Sequence, residues 1–137
     1  MDALLKMKYL LLLSSIISLT ACQVISPIFV NYNGVRRDVA QWINQQTLLS
    51  MQQKRSLVQL SKAQQQLYRF SEYDAEKRLV VSQQNQIALY CAQQHVSQRK
   101  IMQLQQRLYD EETPMIIENF ERLAPQIRLD PSQIQCE

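Results

Sequence analysis

The sequence predicts an all-α protein, a small bundle of three to five antiparallel helices. The chain of 137 residues has one glycine and four prolines, and its long central stretch has no proline. Low glycine and proline content, with abundant Gln, Leu, Arg and Ala, favours helix. Glutamine-rich tracts are also typical of disorder, but here the glutamines alternate with leucines at helical spacing. The pattern therefore indicates folded helices within one small domain.

The first predicted helix runs from about Val35 to Leu48, with Asn33 or Gly34 as its cap. Its apolar face comprises Val35, Val39, Trp42 and Ile43, and we expect Trp42 to belong to the core rather than to a ligand platform.

The second predicted helix begins after Ser50, where Gln53 completes a capping box, and continues to about Phe70. Its apolar stripe comprises Leu57, Leu60, Ala63, Leu67 and Phe70.

A short third helix is expected at about 72–81, with Ser71 as its cap and a weak break at Val80–Ser82. The longest predicted helix then runs from Gln83 to about Asp110. Its apolar stripe comprises Ile87, Tyr90, Cys91, Ile101, Leu104 and Leu108. Because the stripe is mostly polar between residues 93 and 100, the segment can form one helix or two.

Two further start signals follow. Thr113 and Pro114 form a cap with proline at the first helical position, and Pro125 ends that helix. Asp130 and Gln133 form another start signal near the end of the chain.

The N-terminal residues resemble a bacterial lipoprotein signal peptide. Lys6 and Lys8 precede an apolar run over 9–19, and Leu19-Thr20-Ala21-Cys22 has the lipobox pattern. The run is shorter than the roughly 20 residues that a spanning helix needs. The resemblance implies removal of residues 1–21 and a membrane anchor of acyl chains on Cys22. The alternative is an ordinary secretory signal cut near Ala21.

The residue after the predicted lipidated cysteine indicates in which membrane the lipoprotein is expected. It is Gln23 rather than the aspartate that typically retains such lipoproteins in the inner membrane. The resemblance therefore implies the periplasmic face of the outer membrane. We expect a signal peptide over 1–21, a lipidated N-terminus and tether over 22–33, and a helical periplasmic domain over 34–137.

Several spaced positions resemble an uncharacterised family of proteobacterial lipoproteins. The resemblance rests on Tyr32-Asn33, on Trp42, on the helix start Leu49-Ser50-Met51-Gln52-Gln53 and on the later start Leu129–Gln133. The family commonly has Trp-His-Arg where this chain has Leu67-Tyr68-Arg69, so any role of that histidine is absent here. The family also usually continues beyond the second start, so we expect a shortened member. The resemblance implies a helical periplasmic domain and supplies no established activity.

The helix start after Leu49 is also similar to a pattern in small periplasmic chaperones of the envelope stress response. In those proteins it recurs on curved helical hairpins. Since the pattern is physically a helix-start device, it is weak support for a shared function.

Cys91 and Cys136 are the candidate disulfide. The periplasm is oxidising, so a bond is permitted there, and it would join the C-terminus to the middle of a long helix. The alternative is a small buried residue at Cys91 and a free terminal thiol at Cys136. Two cysteines without a cluster of histidines do not favour a metal site.

Other reactive side chains have ordinary explanations. His95, the only histidine, lies one turn after Cys91 and could form a metal or nucleophile pair, but a solvated histidine is the expected state. The carboxylates of Asp110–Glu112 could bind a cation or act in acid–base catalysis, and a solvated helix end is expected instead. Arg36–Arg37 and Lys54–Arg55 could touch lipid phosphates, although solvated faces are expected. No cofactor, metal or catalytic residue is therefore predicted.

The overall composition narrows the class of function. The formal net charge of +3 is too balanced to indicate nucleic-acid binding, and no phosphate-binding loop or nucleophile elbow is present. We expect a non-enzymatic lipoprotein with a structural or protein-interaction role, bound to lipid through Cys22 and to an unknown envelope protein. The alternative is a chaperone- or pilotin-like lipoprotein that binds a client. An enzyme is the least favoured class.

Overall fold

The computed structural model describes residues 30–137, which form an all-α bundle without strands in that range. The α-helices are α1 (Arg37–Asn44), α2 (Met51–Gln65), α3 (Ala75–His95), α4 (Gln98–Tyr109) and α5 (Thr113–Leu123). Short 3-10 segments lie at Gln66–Glu72, Asp110–Glu112 and Pro131–Gln133. The predicted fold class is confirmed. The predicted signal peptide, the predicted lipidation site Cys22 and most of the predicted tether lie outside the described residues.

The predicted start of the second helix is confirmed at Ser50. The backbone N–H of Gln53 donates to Ser50 Oγ over 3.2 Å, and the backbone N–H of Ser50 donates to Gln53 Oε1 over 2.9 Å. This reciprocal pair satisfies two helix N–H groups that would otherwise lack partners. The α-helical geometry ends at Gln65 rather than Phe70, and the chain continues as a 3-10 segment in which Phe70 is still buried.

The predicted break at Val80–Ser82 is wrong, because α3 runs through it to His95. Val81 and Ser82 are fully buried, so an interrupted helix there would leave backbone polar groups without partners. The cap is Asp74 rather than Ser71, since the Asp74 side chain accepts from the backbone N–H of Lys77 over 2.8 Å.

The interruption lies instead in the polar stretch between residues 93 and 100. Val96 is extended, and the Ser97 hydroxyl accepts from the backbone N–H of Lys100 over 3.3 Å, which starts α4. Of the two alternatives for this stretch, two helices is therefore correct. The Ser97 cap carries the local signal, because serine accepts hydrogen bonds from the first turn of a new helix.

The ends of the bundle differ in detail from the prediction. The first helix is shorter, beginning at Arg37 and ending at Asn44, and neither Asn33 nor Gly34 caps it. Gly34 instead has a φ of +82°, a left-handed conformation that suits glycine and turns the chain just before the helix. The helix α5 begins within one residue of the predicted position, but Glu112 rather than Thr113 is its N-cap residue, so Pro114 is the second helical residue.

The last start signal produces only one turn. The Asp130 carboxylate accepts from the Ser132 hydroxyl over 2.7 Å and from its backbone N–H over 3.0 Å, and these hydrogen bonds lower the pKa of Asp130. A 3-10 segment of three residues follows, and the remaining residues are irregular.

Helix α2 is the centre of the bundle and packs on α1, α3 and α4, with α3 as its most extensive neighbour. The two long helices are antiparallel, because Gln53 Nε2 donates to the His95 carbonyl while Gln66 Nε2, just after α2, donates to Gln84 Oε1. Helix α5 covers the 3-10 segment after α2 through an edge-to-face contact of Phe70 and Phe120, with centroids 4.9 Å apart. Within residues 30–137, no helix combines the length and apolar character that crossing a bilayer requires.

The core is formed by apolar side chains from every α-helix. The buried face of α3 differs from the predicted stripe, because Val81, Ala88 and Ala92 are buried while Tyr90 is 37% exposed. Its inward positions also carry polar groups, Ser82 and Asn85, between α3 and α2. The apolar stripe predicted for the second helix is confirmed, since Leu57, Leu60, Ala63, Leu67 and Phe70 are all buried.

Basic side chains from neighbouring segments bind the last carbonyls of two helices. Lys54 Nζ, on a residue only 8% exposed, donates to the Asn44 carbonyl over 2.9 Å at the end of α1. Arg36 Nη1 and Nη2 donate to the carbonyls of Leu108 and Arg107 at the end of α4, both over 2.9 Å. Cations are favourable there because helix C-terminal carbonyls lack intrahelical partners. Lys54 is therefore buried rather than solvated as expected, whereas Arg36 binds the end of α4 with its side chain still 45% exposed.

Candidate functional site

Three glutamines of α2, Gln53, Gln59 and Gln65, are spaced six residues apart. Each of them binds backbone groups that lie outside the helix. A primary amide carries both a donor and an acceptor, so it can pair with a peptide backbone as another strand would. Gln53 does so in the capping box and also donates to the His95 carbonyl over 2.9 Å. Gln59 and Gln65 use the same chemistry on the two ends of the described chain.

Gln65 holds the N-terminal segment against the end of α2. Its Nε2 donates to the Gly34 carbonyl over 2.9 Å, and its Oε1 accepts from the backbone N–H of Arg36 over 2.6 Å. Arg36 is then in place to reach the end of α4, and its guanidinium also pairs with Asp38 over 2.6 Å. The hydrogen bond from Arg36 lowers the pKa of the Asp38 carboxyl.

Gln59 holds residues 124–137, which we call the C-terminal arm. Its Nε2 donates to the Gln135 carbonyl and its Oε1 accepts from the backbone N–H of Glu137, both over 3.3 Å. Gln52 Nε2, two turns earlier on α2, donates to the backbone oxygen of Glu137 over 3.1 Å. The end of the arm, after its 3-10 turn, therefore lies along α2, and side-chain amides contact its backbone at three points.

A disulfide joins this arm to α3. Cys91 and Cys136 are bonded through their sulfurs, with Cα atoms 5.5 Å apart and 45 positions between them in sequence. Cys91 is fully buried, whereas Cys136 is exposed. Lys62 Nζ pairs with the Glu137 carboxylate over 3.2 Å, next to the bonded cysteine.

We define the arm groove as the surface made by Gln52, Gln59 and Lys62 of α2 and Cys91 of α3. A cavity of about 240 Å³ continues from it, between the two helices and beside Glu137. The groove has one cation, two amides and one sulfur. It can therefore recognise an extended backbone, an acidic side chain and a cysteine.

A second concavity, of about 580 Å³, lies at the C-terminal end of α4 and is lined by Arg36, Tyr68, Tyr109 and the carboxylates of Asp110–Glu112. The Tyr68 hydroxyl donates to Glu112 Oε1 over 2.8 Å, and this hydrogen bond raises the pKa of the phenol. The carboxylates are exposed, and the guanidinium of Arg36 is already committed to Asp38 and to the end of α4. This arrangement matches the solvated helix end that was expected.

Asp110 has an unusual backbone in this cleft, with φ 49° and ψ −127°. This conformation belongs to the first central position of a type II′ turn, where glycine is normal. Two side chains hold the turn through the Asp110 carbonyl, since Gln106 Nε2 donates to it over 2.9 Å and Thr113 Oγ1 over 2.7 Å.

The other candidate residues are not brought together. Cys91 is bonded to Cys136, so it offers no free thiol to His95, whose side chain is exposed. Across residues 30–137, no group of three or more His, Cys, Asp or Glu is arranged to hold a metal ion. Trp42 packs against the core as expected, and Lys100 Nζ lies 5.6 Å from its ring centroid, a cation–π contact.

Sequence reasoning did not identify Gln59 and Gln65 as backbone-binding residues. The capping box at Gln53 has a local signal, but the partners of the other two lie about 30 and 76 positions away in sequence. The six-residue spacing of the three glutamines is the one sequence signal that they share.

Compared with known protein families, curated proteins and solved structures, the chain gives no match.

Proposed function

We propose that this protein is a lipoprotein, anchored through acylated Cys22 to the periplasmic face of the outer membrane, with a structural or protein-interaction role and no catalysis. The observation that carries the proposal is the lipobox Leu19-Thr20-Ala21-Cys22 after a short apolar run and two lysines. Gln23, rather than aspartate, supports the outer membrane as the destination. The disulfide between Cys91 and Cys136 is compatible with an oxidising compartment.

The anchor would keep the bundle close to the bilayer. The chain from Cys22 to Val30 spans at most about 28 Å when fully extended. Gly34 and Arg36 are bound by Gln65 at the C-terminal end of α2, so this end of the bundle would face the membrane. The surface that remains accessible to an envelope protein would then include the arm groove and the outward face of α3.

An interaction role is supported by large apolar side chains that face solvent. Leu48 is 98% exposed at the tip of the connection between α1 and α2, and Met102 is 59% exposed on α4. On α3, Leu79 and Tyr90 are eleven positions apart, which places them on one side of the helix, and both are exposed. Leu79 and Tyr90 offer apolar area on one side of α3 to a partner, whereas single exposed residues such as Leu48 and Met102 are ordinary for protein surfaces.

The anchor is tested by replacing the acylated residue. In cells, Cys22→Ser should move the protein from the outer-membrane fraction to the soluble periplasmic fraction and abolish incorporation of labelled palmitate. Cys136→Ser is the matched control, because it also removes one cysteine and should leave fractionation and labelling unchanged. Continued outer-membrane fractionation of Cys22→Ser would contradict the proposed anchor.

A second candidate is a chaperone- or pilotin-like role, and one observation favours it. The arm groove already holds an extended polypeptide, mainly through backbone atoms of Gln135 and Glu137. A groove that contacts backbone can accept many sequences, as client-binding proteins do. Suppression of aggregation of an unfolded protein, measured by light scattering with wild type and with Gln59→Leu, tests this role.

A further inference from the structure

The end of the C-terminal arm is attached to the bundle through the arm groove. None of the side chains from residue 124 to residue 137 is fully buried, although Ile127, Leu129 and Ile134 are half-buried, and Ala124 at the start of the arm packs against the hydrophobic core. The end of the arm contacts Gln52, Gln59 and Lys62 and is bonded to Cys91. The arm therefore resembles a bound peptide more than an integral part of the bundle.

The contacts in the groove define which peptide it can accept. Gln52 and Gln59 bind backbone atoms, so they require an extended conformation but no particular side chain. Two contacts depend on sequence: Cys91 bonds a cysteine, and Lys62 pairs with the acidic residue that follows it. The groove is therefore complementary to an extended segment in which a cysteine precedes an acidic residue.

We propose that the arm groove is a binding site for an extended segment of a partner protein that carries cysteine followed by Asp or Glu, and that residues 134–137 occupy it within this chain. The partner segment would replace the arm and become bonded to Cys91. This names a partner for the interaction role, and so rests on that proposed function.

Replacement of the arm proceeds by two thiol–disulfide exchanges. The partner thiolate first attacks the sulfur of Cys136, the exposed residue of the pair, the bond to Cys91 breaks, and Cys91 leaves with the electron pair and takes up the proton that the partner lost. Cys91 then attacks the partner sulfur, and Cys136 leaves as the thiolate and is protonated in turn. One disulfide is consumed and one is formed, so neither an oxidant nor a reductant is needed.

The experiment uses the full chain with Cys22→Ser and Cys136→Ser, which leaves Cys91 as its one cysteine. The probe is a peptide with the sequence of residues 132–137, its cysteine activated as a mixed disulfide with thionitrobenzoate. Attack of Cys91 on the peptide sulfur releases the coloured thiol, and the rate is read by absorbance. A second peptide replaces the glutamate by lysine, and activated N-acetylcysteine normalises both rates.

The acidic peptide should react about two- to fivefold faster than the lysine peptide, the range expected of an exposed ion pair. Lys62→Glu should invert that preference. Gln59→Leu should slow both peptides about threefold or more, because two hydrogen bonds to the peptide backbone are lost. Gln103→Leu, the same change at an exposed position of α4, is the matched control and should leave both rates unchanged.

Equal rates for the two peptides, or a preference that Lys62→Glu leaves unchanged, would overturn the proposal. If the doubly substituted chain loses its helical circular dichroism, the Cys22→Ser chain is incubated with the peptide in its thiol form. Mass mapping should then find the peptide on Cys91, and its absence overturns the proposal. A disulfide-linked dimer in place of the peptide adduct would also overturn it, because the occupant would be a second copy. Since Cys22 is replaced throughout, these results are separate from those on membrane anchoring.

Discussion

Reduction of the Cys91–Cys136 disulfide measures how firmly the arm is held without its covalent bond. The perturbation is made on the Cys22→Ser chain, so that this disulfide is the only one that can form. The two cysteines are separated by 45 positions in the sequence. If the arm stayed docked after reduction, loop-closure entropy in the unfolded chain would give a stability loss of about 4 kcal/mol.

The structure predicts a smaller loss. The end of the arm is held by hydrogen bonds of 3.1–3.3 Å to exposed groups and by one ion pair whose side chains are 32% and 52% exposed. Such contacts contribute little, and about 13 residues separate the end of α5 from Cys136, so the reduced arm should detach. The detached arm then gains conformational entropy in the reduced native state, which offsets part of the stability loss. The net loss falls to about 1 kcal/mol, and it is set by the ratio of two loop lengths: the loop between the two cysteines and the loop between the end of α5 and Cys136.

The assay is urea denaturation followed by circular dichroism, with and without a reductant. We expect the midpoint to fall with a loss close to 1 kcal/mol and amide exchange to accelerate in the arm while α2 and α3 stay protected. The control is the Cys22→Ser/Cys91→Ala/Cys136→Ala chain, whose stability should not respond to reductant. A loss of 3 kcal/mol or more on reduction would refute the reasoning, since it would mean that the groove holds the arm without the disulfide.

Three further predictions concern single residues. Asp110→Gly should raise the free energy of unfolding by about 1 kcal/mol, since it relieves the strained turn, whereas Asp110→Ala should give no gain by urea denaturation. Tyr109 is buried and desolvation raises its pKa, so its stabilisation is complete below pH 10 and is lost above it. Between pH 10 and 11 wild type should therefore lose about 1 kcal/mol more than Tyr109→Phe in urea titrations at each pH, and equal losses would contradict the assignment. Lys54→Met should cost about 1–2 kcal/mol because the Asn44 carbonyl loses its charged donor, while Arg55→Met should change the urea midpoint little.

Local signals of the sequence located several elements well. The capping box at Ser50 predicted the start of α2, because both hydrogen bonds of the motif join residues three positions apart. Thr113 and Pro114 likewise marked the start of α5. The break expected at Val80–Ser82 was wrong because burial against α2 stabilises helix there, and burial is not a local property.

The candidate site was less accessible to sequence reasoning. Cys91 and Cys136 were recognised as a candidate pair, and the structure joins them, but the amides that flank them were not identified. The sequence predicts solvated faces at Arg36 and Lys54, and Lys54 is buried while Arg36 is partly exposed. Both bind helix C-terminal carbonyls contributed by other segments, which only the packed bundle brings within reach.

The sequence by itself determined the all-α class, the starts of α2 and α5, and the lipobox pattern on which the proposed anchoring rests. These depend on spacing, capping and composition, which act over a few residues. The tertiary structure alone decided where the glutamines and basic side chains find their partners, and that α2 and α3 form a groove occupied by the arm. The physical reason is that an amide or an ammonium group can pair with any backbone group, and its partner is fixed only when distant segments are packed together.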